Sequence, residues 1–376
     1  MTRGFAFDVK EASGALGDLG TLLPLMIAAV ALGGLSPVPV LLGFAAFYVL
    51  TALVYRLPVP VQPMKAVVAV MLVTQVPPQS VALAGAVMGA TLLILGATGW
   101  IDRLLRLVPQ SVVSGLQLGL GLMLALVALR MVAPTPLIGC AALALLLTLI
   151  RLGLPAALIF VALAVPLGLS LGLPGVEMAG PATASGGDVV TVALGGLVLP
   201  QMSLTLTNAI LLTAFVMRDA FGENAAHVTP RRLAITSGAA NLCLAPFGAL
   251  PMCHGAGGAA AHRRFGARTG GAPLMIGAGL AALALVPDGF ALLAAIPAVA
   301  LAALLLVASA DLALSRRLFD AVPSCRPVIA VTALGVVLWN PLAALILGTL
   351  AEMVRKAVVR RLFAAPPPGD ATGPTR

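Results

Sequence analysis

The sequence predicts an all-α polytopic membrane protein, and three observations lead to this fold class. Of the 376 residues, 60% are hydrophobic and only 9% are charged, with a mean hydropathy of +1.10, whereas soluble domains carry about 25% charged residues. Apolar runs follow one another with short connections, so no long polar stretch is left for a soluble domain. The basic residues lie in short clusters between these runs, and the net charge of +9 therefore indicates membrane topology and not a nucleic-acid partner.

Fourteen apolar runs are long enough to enter or cross a membrane. A spanning helix needs about 20 apolar residues, and several of the runs are shorter than that. Short runs are typical of re-entrant or broken helices that pack inside protein. In chain order the predicted segments are 12–34, 36–55, 58–74, 79–99, 109–129, 135–150, 154–172, 189–217, 229–248, 250–264, 272–287, 289–310, 326–339 and 341–358.

The positive charges determine the orientation of these segments. With the N-terminus in the cytoplasm, all of the 22 lysines and arginines except Lys65 and Arg130 fall at cytoplasmic ends. We therefore expect a multi-pass protein of the bacterial inner (cell) membrane, surrounded by lipid, with both termini in the cytoplasm. Residues 1–11 lack the apolar stretch of a cleavable signal peptide.

A predicted outer loop, 173–188, has two acids and no lysine or arginine, and it divides the segments into two sets of seven. Because seven is odd, the second set starts from the opposite side of the membrane and is inverted relative to the first. The predicted organisation is a cytoplasmic N-terminus (1–11), a first repeat (12–172), the outer loop (173–188), a second repeat (189–358) and a short cytoplasmic tail (359–376).

The third and tenth segments resemble each other and are predicted to be half-helices. Each has an extended lead-in, then Pro-Met (Pro63-Met64 and Pro251-Met252), then a short helix of small residues. In an inverted repeat they enter from opposite faces, so their helix N-termini meet near the midplane. Interrupted segments at corresponding places in two halves indicate a transport site.

Two helix N-termini aimed at one point form an anion site, because each carries about +0.5 elementary charge and several unpaired N–H groups. Lys65 lies in the first turn of one half-helix, and the total of about +2 suits a divalent oxyanion. Three alternatives stay open: Lys65 extends to a membrane face, Gln62 bonds to a neighbouring backbone, and His254 is a packing residue. The candidate binding residues are Gln62, Pro63, Met64, Lys65, Gln201, Thr205, Asn208, Cys253, His254, Gly255 and Ala256.

The first and eighth segments occupy matching places in the two repeats, and both carry polar residues in apolar surroundings. Pro200 is predicted to break the eighth segment, where hydroxyls and amides follow. Asp18 lies inside the first segment, and Glu11 lies near its cytoplasmic edge. Intramembrane carboxylates are costly and usually functional, so we expect these two to couple transport to H⁺ or Na⁺. The alternative for Asp18 is a structural partner for Lys65 or for a helix terminus.

The sequence predicts neither a metal site nor a cofactor. The four cysteines have scattered spacing that matches no zinc or disulfide pattern. There is no His-Glu-x-x-His pair, and Ser203 has no sequence partner that marks it as a nucleophile. We therefore expect no enzymatic activity.

Four runs of this sequence resemble a known family. SGALGDLGTLLPL, PVPVQPMKAVVAV, LPQMSLTLTNAI and above all LPMCHGAGGAAAHRRFGARTGG are similar to the molybdate-transporter family, distant relatives of the SulP sulfate permeases. The resemblance spans the membrane region. The family usually shows a polar pair, often two cysteines, where this chain has Met252-Cys253. SulP permeases also carry a C-terminal STAS domain, and the tail here is too short to form one.

The resemblance implies a uracil-permease-type fold of seven plus seven segments. It implies a core domain (segments 1–4 and 8–11), a gate domain (5–7 and 12–14), substrate held between segments 3 and 10, and homodimers formed through the gate domains.

The predicted function is molybdate uptake by ion-coupled secondary transport with alternating access. The charge argument gives a divalent oxyanion, and the choice of molybdate comes from the resemblance. The alternatives are a permease for sulfate, tungstate or a broader range of oxyanions, a nucleobase–proton symporter, and an anion channel.

Overall fold

The computed structural model describes residues 4–31, 34–73, 76–106, 108–173, 188–314, 316–339 and 341–363. Most of the predicted outer loop and most of the predicted tail lie outside these ranges. The described chain is mostly helical, and its two short strands pair with each other.

The first half of the chain runs from a two-part helix to a hairpin of apolar helices. Several helices start at proline, whose missing N–H is one that a first helical turn leaves unpaired anyway. The elements are α1 (Val9–Leu16), α2 (Leu19–Ala31), α3 (Pro37–Tyr55), β1 (Gln62–Pro63), α4 (Lys65–Val73), α5 (Pro78–Thr98), α6 (Trp100–Arg106), α7 (Gln110–Val132), α8 (Pro136–Arg151) and α9 (Ala156–Ser170).

The second half repeats this plan with a second strand and a second short helix. Its elements are α10 (Val189–Thr191), α11 (Leu199–Leu204), α12 (Thr213–Phe221), α13 (Pro230–Leu244), β2 (Met252–Cys253), α14 (Ala256–Arg264), α15 (Gly271–Leu285), α16 (Gly289–Ala294), α17 (Ala298–Ala313), α18 (Arg316–Phe319), α19 (Arg326–Leu338) and α20 (Pro341–Phe363). Short 3₁₀ turns lie at Gly222–Ala225, Ala245–Phe247 and Pro323–Cys325.

A helix or half-helix lies at each of the fourteen predicted segments, with two notable differences. The twelfth segment begins at Ala298 and not at 289, because Pro297 occupies its N-cap and the short α16 precedes it. By length and hydropathy, three helices among the described residues could each cross a membrane alone: Pro37–Tyr55, Pro78–Thr98 and Gln110–Val132.

The second difference is that Pro200 does not break the eighth segment. Residues 189–221 form one helical run, with π-helical turns at Val192–Val198 and Thr205–Leu212 on either side of α11. A proline ring clashes with the carbonyl one turn before it in a regular α-helix. The turns on either side of α11 have the wider π geometry, and the backbone stays helical through Pro200.

The packing of the helices relates the two halves of the chain. Helix α3 packs on α15, α5 packs on α13, and α7 packs on α17. These pairs join the second segment to the eleventh, the fourth to the ninth, and the fifth to the twelfth. A two-fold axis that exchanges the halves converts the first pair into the second and maps the third onto itself, as an inverted repeat requires.

Glycines bring α5 and α13 into backbone contact. A Cβ at Gly89 would lie 2.5 Å from the amide nitrogen of Leu242, and a Cβ at Gly238 would lie 2.6 Å from that of Leu93. Such close approach is the usual basis of helix packing in membranes. The large side chains of α3 are fully buried: Phe44, Phe47, Tyr48 and Tyr55.

Candidate functional site

Two short strands bring the half-helices together. β1 and β2 pair antiparallel, with Gln62 opposite Cys253 and Pro63 opposite Met252. The amide of Met64 donates to the carbonyl of Pro251 at 2.9 Å. Helix α4 begins two residues after β1 and α14 begins three residues after β2, so the helix N-termini lie on either side of one small sheet.

Neighbouring helices hold the strands in place. The side-chain oxygen of Asn241 in α13 accepts from the amide of Met252 at 2.9 Å, and its nitrogen donates to the carbonyl of the same residue at 2.5 Å. The hydroxyl of Tyr48 in α3 donates to the carbonyl of Val61 at 2.7 Å. These buried bonds replace the water that extended backbone would otherwise need.

A chain of polar side chains joins the first segment to α4. Lys65 Nζ donates to Gln62 Oε1 at 3.1 Å, and Gln62 Nε2 donates to Asp18 Oδ1 and to Thr21 Oγ1, both at 2.7 Å. The hydroxyl of Thr21 also donates to Asp18 Oδ1. A single amide therefore connects the Lys65 ammonium to the Asp18 carboxyl group.

The second oxygen of Asp18 is in a different position. Oδ2 is buried and has no hydrogen-bond partner among the described residues. It lies against Gly258 in the first turn of α14, where a Cβ would collide with Oδ2 and would come within 2.6 Å of Gln62 Nε2. Asp18 thus contacts both half-helices, through Gln62 on one side and through Gly258 on the other.

The eighth segment supplies amide oxygens to both half-helices. The backbone N–H of Ala66 in α4 donates to Gln201 Oε1 at 2.8 Å, and that of Ala256 in α14 donates to Asn208 Oδ1 at 3.4 Å. Gln201 Nε2 in turn donates to Thr205 Oγ1 at 2.9 Å. Gln201 and Asn208 therefore contact the starts of the half-helices, and Thr205 contacts Gln201.

His254 lies beside the strands but makes its bonds within the protein. Its Nδ1 is 2.9 Å from the carbonyl of Pro60 and its Nε2 is 2.9 Å from Thr236 Oγ1, which is 2.7 Å from the hydroxyl of Tyr55. Since a carbonyl only accepts, Nδ1 carries the hydrogen, and in the neutral ring Nε2 is then the acceptor toward Thr236. The geometry favours the packing alternative for His254 over a donor to a ligand.

The other predicted residues occupy the same sheet. Pro63, Met64 and Cys253 are buried in or beside the strands. Gly255 lies against Gln62, because a Cβ there would overlap with the amide oxygen of Gln62. The residues that sequence reasoning missed are Thr21, Tyr48, Thr236 and Asn241. Of these, only Thr21 carries a readable signal, since it lies one helical turn after Asp18.

Glu11, the other carboxylate for which a coupling role is predicted, makes its hydrogen bonds away from this group. Its buried carboxylate accepts from the backbone amides of Arg268 at 2.9 Å, Thr269 at 2.8 Å and Ala272 at 3.3 Å, and from the hydroxyl of Thr269 at 2.9 Å. It therefore stabilises the N-terminus of α15, where an anion is favoured by unpaired N–H groups and by the helix dipole.

A cavity of about 670 Å³ lies beside the C-terminal end of α14. It reaches Ala260, about one turn from the helix start. The charged residues in its wall are Arg263, Arg264, Arg268, Asp219 and Asp311, of which Arg264 and Asp311 are 3.4 Å apart. Its positive excess is suited to attract anions.

A family model described as "Molybdate transporter of MFS superfamily" matches residues 10–124 and 190–312, which include both half-helices. Molybdate transporter 2 of Arabidopsis thaliana is 30% identical over 376 aligned residues, which cover 82% of this chain and 79% of that protein. Molybdate transporter 1 of the same plant is 29% identical and covers 83% of this chain and 81% of its own. Molybdate transporter 1 of Chlamydomonas reinhardtii is 39% identical over 132 residues, 34% of this chain and 25% of that protein.

Solved structures with a similar fold include anion transporters. The transmembrane domain of a cyanobacterial bicarbonate transporter, BicA, superposes with a TM-score of 0.54 at 16% identity and covers 89% of this chain and 96% of its own. The overall structure of SLC26A9 gives a TM-score of 0.63 at 13% identity, covering 93% of this chain and 65% of that one. The inward-facing murine protein gives 0.59 at 14% identity, covering 96% and 69%. At these identities the likeness supports the fold alone.

We expect Glu11→Gln to lower the thermal stability of the purified protein without disturbing the two strands. Loss of a charged acceptor costs about 1.5–3 kcal/mol per bond, and the amide NH₂ would face backbone donors. Thermal unfolding in detergent measures the effect. Glu223→Gln is the matched control, because Glu223 forms an exposed ion pair with Arg218 at 2.6 Å. Equal melting temperatures for both variants would contradict the structural role of Glu11.

Proposed function

This chain belongs to the molybdate transporter family, and we propose that it carries molybdate into the bacterial cell by alternating access, as a secondary transporter. It is a multi-pass membrane protein and a transporter, not an enzyme. The observation that carries the proposal is the pairing of β1 with β2, which supports one anion site shared by the starts of α4 and α14.

The charge of this site matches a doubly negative ligand. Each half-helix start contributes about +0.5 elementary charge, and the ammonium of Lys65 contributes one more. Lys65 uses one of its three donors on Gln62. Molybdate, tungstate and sulfate are all tetrahedral dianions, so the choice of molybdate rests on the family.

The cavity beside α14 supports a route from this site to the cytoplasm. Its arginines lie at the C-terminal end of α14, which the positive-inside pattern assigns to the cytoplasmic face. Both termini would lie on the same face. On this basis we assign the structure to an inward-facing state, from which a bound anion would leave past Ala260.

We assign Asp18 as the coupling group and the proton as the coupling ion. Hard metal cations collect several oxygen ligands, about six in common sites. Beside Oδ2 the space is closed by Gly258, where not even a Cβ would fit. A proton needs no such shell, and a buried carboxyl oxygen without a partner among the described residues is a suitable place for it.

The link through the Gln62 amide makes proton binding and anion binding favour each other. When Asp18 is ionised, its charge offsets that of Lys65 across one side chain. When a proton neutralises Asp18, the Lys65 ammonium is left for the dianion, so proton and anion favour each other's binding. The other titratable groups nearby are Tyr48, Cys253, His254 and His262. Cys253 pairs with Gln62 in the sheet, and the other three bond to a backbone carbonyl, that of Val61, Pro60 or Gly14.

Competition measures the substrate class directly. Uptake of labelled molybdate into proteoliposomes should be blocked by excess tungstate and only partly by sulfate, and it should be unaffected by uracil, which lacks the double negative charge. Equal inhibition by sulfate would favour the broader oxyanion permease, and inhibition by uracil would contradict the anion site.

Lys65→Ala should weaken molybdate binding about tenfold to a hundredfold, because a charge-assisted hydrogen bond of about 1.5–3 kcal/mol is lost. Isothermal titration calorimetry on the purified protein measures this. The control is Lys10→Ala, which removes an exposed lysine near the N-terminus. Normal affinity in the Lys65 variant would remove this residue from the site.

Asp18→Asn should retain molybdate binding but lose the dependence of uptake on an imposed pH gradient, since an amide cannot exchange the proton. Proteoliposomes with and without an inward proton gradient provide the measurement, with Asp188→Asn as an exposed control. Gradient-driven accumulation at the wild-type level would refute the assignment. Absence of accumulation in the wild type would indicate a channel.

A further inference from the structure

We propose that Gln201 and Asn208 act as internal substitutes for the oxyanion: their amide oxygens occupy the first N–H groups of the two half-helices while the site is empty, and the anion displaces them. This inference rests on the proposed anion site. It assigns these two residues a role opposite to that of Lys65, because they compete with the ligand.

The starts of both half-helices need hydrogen-bond acceptors. The N–H groups of a first helical turn have no partner within their own helix, and a buried donor left unpaired is costly. At Ala66 and Ala256 the acceptor is a side-chain oxygen of Gln201 or Asn208, at 2.8 Å and 3.4 Å. Gln201 and Asn208 are both buried, with 1% and 3% of their surface exposed.

Both acceptors come from the same helical segment. Gln201 and Asn208 are the only side-chain amides in the run 189–221. They are seven residues apart in one continuous helical run. One segment therefore covers both half-helix starts, and a shift or rotation of this segment would uncover both. The π-helical turns at Thr205–Leu212 lie between and beyond the two amides, and such turns are frequent at functional sites.

The side-chain amides of Gln201 and Asn208 can each act as acceptor and as donor. Its oxygen is an acceptor and mimics an oxyanion, while its NH₂ group is a donor. Gln201 Nε2 now donates to Thr205. If the amide turned, its oxygen would leave Ala66 and free that N–H for the ligand. An entering oxyanion must first break each intramolecular bond, and the net strength of a typical hydrogen bond corresponds to about two- to tenfold in affinity.

The test uses the full-length protein and variants that keep the shape of the side chain but remove its oxygen. We expect Gln201→Met and Asn208→Leu each to bind molybdate about two- to tenfold more tightly in calorimetric titrations. Each variant should also melt at a lower temperature when empty and gain more than the wild type when molybdate is added, because the empty site then has an unpaired donor. Gln110→Met, at the exposed start of α7, is the matched control and should change neither quantity.

Two further variants keep the test decisive. Gln201→Asn removes one methylene and withdraws the oxygen from Ala66 without an apolar substitution, so it should also tighten binding. Gln201→Glu places a fixed negative charge at the same donor and should weaken binding more than tenfold.

Weaker binding by Gln201→Met and Asn208→Leu would make both residues ordinary ligands and would overturn the inference, and so would unchanged affinity. Sulfate and tungstate are titrated beside molybdate, so that failure of the proposed function can be distinguished from failure of this inference. If none of the three binds to the wild type, the proposed function fails and this inference falls with it. If the wild type binds and the variants do not bind more tightly, the inference alone fails.

Discussion

The pairing of two short strands inside the helical core is the interaction on which the rest of this structure depends. Backbone in the middle of a membrane has no water to satisfy its polar groups. The third and tenth segments leave the helical conformation inside the buried core, and each bonds to the backbone of the other. Pro63 and Pro251 lack an N–H, so the sheet needs fewer acceptors than other residues would require. Both half-helices must consequently start side by side, whatever else the chain does.

Charge at this place is balanced over very short distances. The positive ends of two helices and the Lys65 ammonium would repel one another in an empty apolar site. Asp18 supplies the opposite charge through Gln62, and the oxygens of Gln201 and Asn208 supply negative partial charge at the helix starts. In the proposed anion site, these groups would offset the positive charge when no ligand is present.

The half-helices could be predicted from the sequence, but the direction of several side chains could not. Short runs after Pro-Met and a lysine in a first turn are local signals, and the eighth-segment amides stand out in an apolar run. Glu11 and His254 looked equally polar, yet Glu11 caps a helix more than 250 residues later and His254 bonds to the lead-in of the other half. No local pattern encodes such distant partners. The continuous helix through Pro200 could not be predicted either, because the sequence does not show that a helix with π-helical turns can continue through a proline.

The shared strands also limit how this protein can change shape. In many two-part binding sites, a ligand is released when the parts move away from each other like jaws. Here backbone hydrogen bonds between β1 and β2 join the two half-helix segments, and side-chain amides of the eighth segment bond to both. Separation of these segments would break the inter-strand hydrogen bonds and leave polar backbone groups unpaired in apolar surroundings. Access from alternate sides is therefore expected to come from sliding the intact pocket, with its cargo, past the helices that border it.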